Sequence, residues 1–366
     1  MRKLFDDLSD GLGGFAPSRF PYLRFLPAIA IGLVGALIFV YLKTPLPWVL
    51  GSMTATTIAA LAGMRISVPS VVRTPMVLVV GVVVGATFTP DVLVRFPEWW
   101  PTVVGLLILG AVSGVLCIAY LRAFTDFDMP TAYFSGMPGG LVEMVTLGED
   151  HGADVRAIAL MHSVRILIIV FAVPIIVSLI EGVTVQTSSV PRPSIVDTEL
   201  VDYAWLAATA VVGVVVGHLL RLPAVYLLGP LAVSAVVHAA GLSEFTLPVE
   251  LLNVAQLVVG TSIGCRFTGL ASTVILRLFG QAIGMTIVLI AITALFALGA
   301  TQFSDFGFVP ILLAYAPGGV AEMSLVAVAL HIEVAFVASH HIVRLFFVMA
   351  GAPLAYALVK KPEKPA

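Results

Sequence analysis

The chain has 366 residues, 60% of them hydrophobic and 11% charged, with a formal net charge of −2 and a mean hydropathy of +1.08. Soluble domains carry about 25% charged residues, so this composition belongs to an integral membrane protein, expected as an all-α, polytopic helical bundle. A charge this small, with no block of like charges, argues against direct nucleic-acid binding.

In chain order, residues 1–23 contain acids and no apolar core, which predicts a cytoplasmic N-terminal segment rather than a cleavable signal peptide. A first membrane repeat over 24–180 holds six apolar segments, near 24–42, 46–63, 71–88, 101–121, 130–148 and 155–180. Residues 181–202 form a polar linker. A second repeat over 203–359 holds six more, near 203–220, 223–241, 248–265, 278–300, 309–330 and 333–359, and 360–366 is a short cytoplasmic tail. Most segments approach the ~20 residues that cross a bilayer as a helix, and the alternation of barrel strands is absent. Cys117 and Cys265 stand far apart in apolar stretches. Their spacing suits neither a metal site nor a disulfide framework, and no cofactor is expected.

The two repeats are copies. Pro138/Pro317, Gly139/Gly318, Gly140/Gly319, Glu143/Glu322, Met144/Met323, His162/His341, Arg165/Arg344 and Pro174/Pro353 all lie 179 residues apart. Gly51/Gly229 and Gly63/Gly241 lie 178 apart, and Gly81/Gly260 and Gly85/Gly264 again 179. Duplication within a membrane chain marks a repeat-built fold.

Lys and Arg placement bears on the number of crossings. If the Pro-Gly-Gly segment of each repeat is re-entrant, fourteen of the 19 basic residues fall on the cytoplasmic side, three (Lys43, Arg95 and Arg192) fall opposite, and Arg165 and Arg344 lie inside the membrane. If every segment crosses, the bias weakens. Ten crossings fit better, with both termini cytoplasmic and the odd-numbered repeats inverted, although a broken helix that does cross would look the same in sequence.

The phrase "PGGLVEM" at 138–144 recurs as "PGGVAEM" at 317–323. Proline suits a helix start, and paired glycines let the backbone leave helical geometry and approach something closely. A half-helix beginning at membrane depth offers free N–H groups and a positive dipole end, which suit an anion. Glu143 and Glu322 lie near that end, either as caps or as sites for a proton or cation. In the last helix of each repeat His162 and Arg165, and His341 and Arg344, share one face through their spacing of three. Four buried charges at roughly 3 kcal/mol each cannot face lipid. A Glu–Arg pair, within each repeat or crossed between them, is the simplest satisfaction, and it serves either a structural lock or a shared midplane site. The histidines fit proton relays or satisfied core positions equally.

Weaker signals are structural. Asn253, Gln256, Thr261 and Ser262 suggest interhelical hydrogen bonds, and the spaced glycines suggest close helix packing. Trp99 and Trp100 suggest an interfacial anchor. Asp126/Asp305 and Asp154/Glu333 flank the broken segments as candidate caps.

The duplicated "PGG..EM" followed by "H..R" resembles the AbrB family of bacterial integral membrane proteins, once labelled ammonia monooxygenases, over nearly the whole chain. The resemblance implies a bacterial inner-membrane location and a role in regulating gene expression. Regulation would be indirect, through a moved or sensed metabolite, because no segment outside the membrane is long enough for a DNA-binding domain. An oxygenase reading finds no copper cluster among the seven histidines, beyond the adjacency of His340 and His341. The expectation is a non-enzymatic secondary transporter of a small, anionic solute, driven by a coupling ion or proton and assembling as a homo-oligomer. Its substrate-binding residues are Pro138, Gly139, Gly140, Glu143, His162, Arg165, Pro317, Gly318, Gly319, Glu322, His341 and Arg344. The alternative is a membrane sensor or regulator.

Overall fold

The computed structural model describes residues 20–181, 193–269 and 272–359. The expected N-terminal segment falls largely outside these residues, as do half of the linker and the whole of the tail. Among the described residues every regular element is helical. In chain order these are α1 (Tyr22–Tyr41), α2 (Pro47–Leu61), α3 (Ser70–Gly85), α4 (Pro90–Arg95), α5 (Trp100–Phe124), α6 (Met129–Gly136), α7 (Leu141–Asp150), α8 (Val155–Glu181), α9 (Leu200–Leu219), α10 (Val225–Ala239), α11 (Val249–Gly264), α12 (Ser272–Ala300), α13 (Phe308–Tyr315), α14 (Val320–Leu330) and α15 (Val334–Val359). Among the described residues six stretches are long and apolar enough to cross a membrane, Tyr22–Tyr41, Pro90–Phe124, Val155–Ile180, Leu200–Leu219, Arg277–Ala300 and Val334–Leu358. The protein is a multi-pass, all-helical membrane protein.

Two compact units cut across the two repeats. The first gathers the described residues of Met1–Phe96, Pro174–Leu270 and Ser324–Ala335, and the second those of Pro97–Val173, Ala271–Met323 and Phe336–Ala366. Sequence periodicity reports ancestry and packing reports neighbours, so the two divisions need not coincide.

In the first unit, each repeat packs a glycine-bearing helix onto the other repeat. Gly81 on α3 faces the Leu227 carbonyl of α10 so closely that a Cβ there would stand 2.5 Å from the oxygen, and Gly260 on α11 faces the Val49 carbonyl of α2 in the same way, at 2.5 Å. This is the close packing expected of those glycines. The unusual left-handed backbone at Lys43, Leu46 and Gly63 returns at Arg221, Ala224 and Gly241, 178 residues on. The side chains of Thr261 and Ser262 make no interhelical bond: Ser262 donates within its own helix to the Val259 carbonyl at 2.8 Å and the Thr261 hydroxyl has no partner, although the Thr261 carbonyl accepts from Thr56 Oγ1 of α2 at 3.5 Å. Glycine-mediated approach already brings α11 against α2, leaving little for side-chain bonds to add.

The second unit holds α5, α12, the broken segment of the first repeat, and α13 with the start of α14, whose remainder from Ser324 belongs to the first unit. At eight and ten residues, α6 and α7 rise about 12 and 15 Å, each well short of a ~30 Å hydrocarbon core. They double back. The Asp154 amide donates to the Thr131 hydroxyl at 2.9 Å, and the His151 ring lies 5.3 Å from that of Phe134, so the chain beyond α7 returns to the foot of α6. In the second copy, Phe306 just before α13 stacks on Phe336 of α15 with centroids 4.1 Å apart.

Trp99 departs from the expected interfacial anchor. It is 4% exposed and packs edge-on against Phe336 at 5.5 Å, whereas Trp100 is 68% exposed. Adjacent helical residues point about 100° apart, so only one of the pair can face outward. Asp154 caps α8 as expected, accepting from the Arg156 and Ala157 amides at 2.9 and 3.2 Å. Its counterpart Glu333 instead pairs with Arg95 at 3.6 Å, and Asp126 pairs with Arg277 at 2.9 Å.

Candidate functional site

Each hairpin tip is built by its own sequence. After Met137 the Gly139 amide bonds back to the Met137 carbonyl at 2.8 Å, and Gly318 does the same to Ala316 at 2.8 Å. The glycines serve the residues that follow them. A Cβ on Gly139 would stand 2.8 Å from the Met144 side chain, and one on Gly318 would stand 2.6 Å from Met323. One on Gly140 would strike the Glu143 carboxylate, and one on Gly319 the Glu322 carboxylate. What the glycines approach is thus the chain itself: the first leaves room for the methionine, the second for the glutamate. Each glutamate is the third residue of its half-helix and folds back over the N-cap glycine, placing negative charge at the positive dipole end.

The arginines close the other side of the break. Arg165 donates to the Met137 and Gly139 carbonyls at 3.2 and 2.8 Å, and Arg344 to those of Ala316 and Gly318 at 2.6 and 2.5 Å. The expected Glu–Arg pairs therefore do not form. Each guanidinium sits instead at the carbonyl-rich, negative end of the first half-helix, where the break leaves carbonyl acceptors at membrane depth; of these, the Met137 and Ala316 carbonyls also accept from the Gly139 and Gly318 amides. Both dipole ends are compensated, each by the side chain of opposite charge.

The histidines lock the same turn. His162 Nε2 lies 2.8 Å from the Phe134 carbonyl, and His341 Nε2 lies 3.0 Å from that of Leu313. His341 Nδ1 also accepts from Arg344 at 2.7 Å. An accepting Nδ1 and a donating Nε2 define one neutral tautomer, which fits a satisfied core role better than a relay. In the first copy His162 Nδ1 has no partner, because Arg165 Nη2, the counterpart of that donor, bonds only the Gly139 carbonyl; Arg165 Nε is unpaired as well. Although adjacent in sequence, His340 and His341 serve different partners: His340 bonds Thr102 Oγ1 at 2.9 Å and the Phe336 carbonyl at 2.8 Å.

The two tips meet. Pro138 and Pro317 line one small cavity of about 10 Å³ together with Arg344, Tyr315, Ser113 and Thr293. The Thr293 hydroxyl is buried without a partner. Tyr315 Oη is already committed to the Thr102 carbonyl at 2.6 Å. Of the residues expected at the site, Pro138, Pro317 and Arg344 reach this cavity, while the glycines, glutamates, histidines and Arg165 form the tips behind it. Ser113, Thr293 and Tyr315 were missed in sequence because none has a polar copy at the repeat spacing, where Ile292, Gly114 and Gly136 stand.

A family model described as "Transition state regulatory protein AbrB" matches residues 48–360. The chain belongs to the AbrB family. Among similar proteins, "Putative regulator AbrB" of Escherichia coli (strain K12) is 27% identical over 335 residues, covering 91% of this chain and 95% of that protein. "Uncharacterized protein YhjN" of Bacillus subtilis (strain 168) is 28% identical over 301 residues, covering 77% of each.

Proposed function

We propose that this AbrB-family protein is a secondary transporter whose two re-entrant hairpins, inverted relative to one another, present a small anionic solute site at the membrane midplane. The observation that carries the reading is the single cavity shared by Pro138, Pro317 and Arg344. Broken helices meeting at the centre of a duplicated membrane fold are the arrangement transporters use to bind solute and alternate its access. With two returning hairpins the chain would make ten crossings, a reading supported by the excess of basic residues that then falls on the side of both termini, the cytoplasm of a bacterial inner-membrane protein. Glu143 and Glu322, each folded over an N-cap glycine, are the groups for a coupling proton or cation, and a homo-oligomer is the assembly.

Uptake of isotope-labelled small organic and inorganic anions into proteoliposomes tests this. The expected result is saturable flux of at least one of them, falling about tenfold or more in Glu143→Gln or Glu322→Gln with insertion retained. No flux across the panel, or flux indifferent to both substitutions, overturns it. The regulatory names of the family and of the Escherichia coli relative favour a second reading, a ligand-binding membrane sensor acting indirectly on gene expression. That reading gains if the same anions raise the thermal stability of the protein without crossing the bilayer.

A further inference from the structure

A second opening in the same unit lies against the first. Between α5 and α15 runs a cleft of about 440 Å³ whose lining is almost wholly apolar, within the usual size range for small-molecule sites. It exists because small residues stand on both walls, Gly110, Ala111 and Ala119 on α5 and Gly351, Ala352 and Ala355 on α15. At the repeat spacing of 179 these positions read Leu289, Ile290, Leu298, Ala172, Val173 and Ile176. The opening is therefore a property of one copy and not a by-product of the repeat. Ala111, Val115 and Phe347 are exposed at its mouth, midway along apolar helices, so the mouth faces the acyl region of a bilayer. Its inner end shares Gly110 and Pro138 with the cavity of Arg344 and Thr293.

We propose that the cleft takes the apolar chain of an amphipathic carboxylate drawn from the bilayer, with the carboxylate directed to Arg344 and Thr293 at the twin tips. Two observations select this occupant over the tail of a phospholipid. A tail would end in a methyl group against a guanidinium and a buried hydroxyl that lacks a partner, which leaves both unpaired with the ligand. A carboxylate supplies an acceptor to each, and a planar guanidinium matches it best. Three of the five Arg344 N–H groups are engaged by the Ala316 and Gly318 carbonyls and His341, leaving two for a ligand. The inner cavity has room for a group about the size of one water, such as one carboxylate oxygen.

The test is photolabelling of the full-length protein in nanodiscs with decanoate carrying a diazirine in mid-chain. Cross-links are expected on residues 111–119 and 347–355, chased by unmodified decanoate, and about tenfold weaker for the methyl ester, whose oxygens carry no charge. A Cβ at Gly351 would meet nothing within 4 Å, so Gly351→Leu fills the cleft without disturbing its walls and should abolish labelling at an unchanged melting temperature. Thr293→Val should weaken carboxylate labelling about threefold or more and leave ester labelling unaltered. Equal labelling by acid and ester, or labelling that survives Gly351→Leu, overturns the proposal in favour of a lipid-filled groove. The proposal rests on reading the tips as a solute site, and the two fail separately. Labelling without flux of any solute removes transport and leaves this site; anion flux by the unaltered protein with no carboxylate-specific labelling of the cleft removes this proposal alone.

Discussion

The two hairpin tips carry the same residues at the same spacing, yet they are not equally closed. At the second tip Glu322 is buried, at 7% exposure, and Arg344 holds two carbonyls and a histidine nitrogen. At the first, Glu143 is half-exposed and Arg165 holds two carbonyls only, while His162 Nδ1 goes unpaired. One motif thus yields a tight tip and a looser one. The difference lies in a single reach: Arg344 Nη2 arrives at the histidine of its own helix, and Arg165 does not. A membrane protein that must open a central site from alternate sides gains from hairpins of unequal stability, because the looser one moves at lower cost.

The largest test of that contrast is removal of the arginines. Arg344→Ala removes three hydrogen bonds and should cost about 4.5 kcal/mol, and Arg165→Ala, which removes two, about 3, at roughly 1.5 kcal/mol per bond to a charged group. Thermal unfolding in nanodiscs should therefore rank Arg344→Ala below Arg165→Ala; the reverse order would break the comparison. The histidines come next. His341→Phe loses a carbonyl and an arginine partner where His162→Phe loses only a carbonyl, about 2–3 against 1–2 kcal/mol by the same melting experiment. Smaller again are the glycines. Gly319→Ala drives a methyl into a carboxylate that is buried, whereas Glu143 can swing out from Gly140→Ala, so costs of about 2 and 1 kcal/mol are expected. Equal losses would show that the exposure of Glu143 confers no freedom. The smallest effect has the opposite sign: Thr293→Val removes a hydroxyl buried without a partner and should raise ligand-free stability by about 1 kcal/mol, and destabilisation instead would mean that this hydroxyl is bonded when no ligand is present.

Much of the site was legible before any coordinates. The spacing of His162 from Arg165, and of His341 from Arg344, put each pair on one helix face, and the structure turns both pairs toward their own hairpin tip. The duplicated phrase located both breaks. The Glu–Arg pairing failed for a definite reason: arginine found acceptors in backbone carbonyls, which every residue carries and no sequence pattern displays. Trp99 failed because apolarity at a helix end does not say which of two neighbours faces inward. The cleft of α5 and α15 was invisible because small residues scattered along two distant helices form a wall only when those helices lie together.

Composition by itself determined that this chain lives in a bilayer as helices, because unpaired backbone groups are too costly there for any open alternative. Repetition determined where the helices break. Only the tertiary structure decided that the two breaks face one cavity, that each guanidinium satisfies the carbonyls of its own tip, and that one copy closes more tightly than the other. Those outcomes depend on distances of a few ångströms between residues from three to 28 positions apart within a tip and far more distant between the tips, and a linear pattern carries the kinds of groups present but not which of them come within hydrogen-bonding reach.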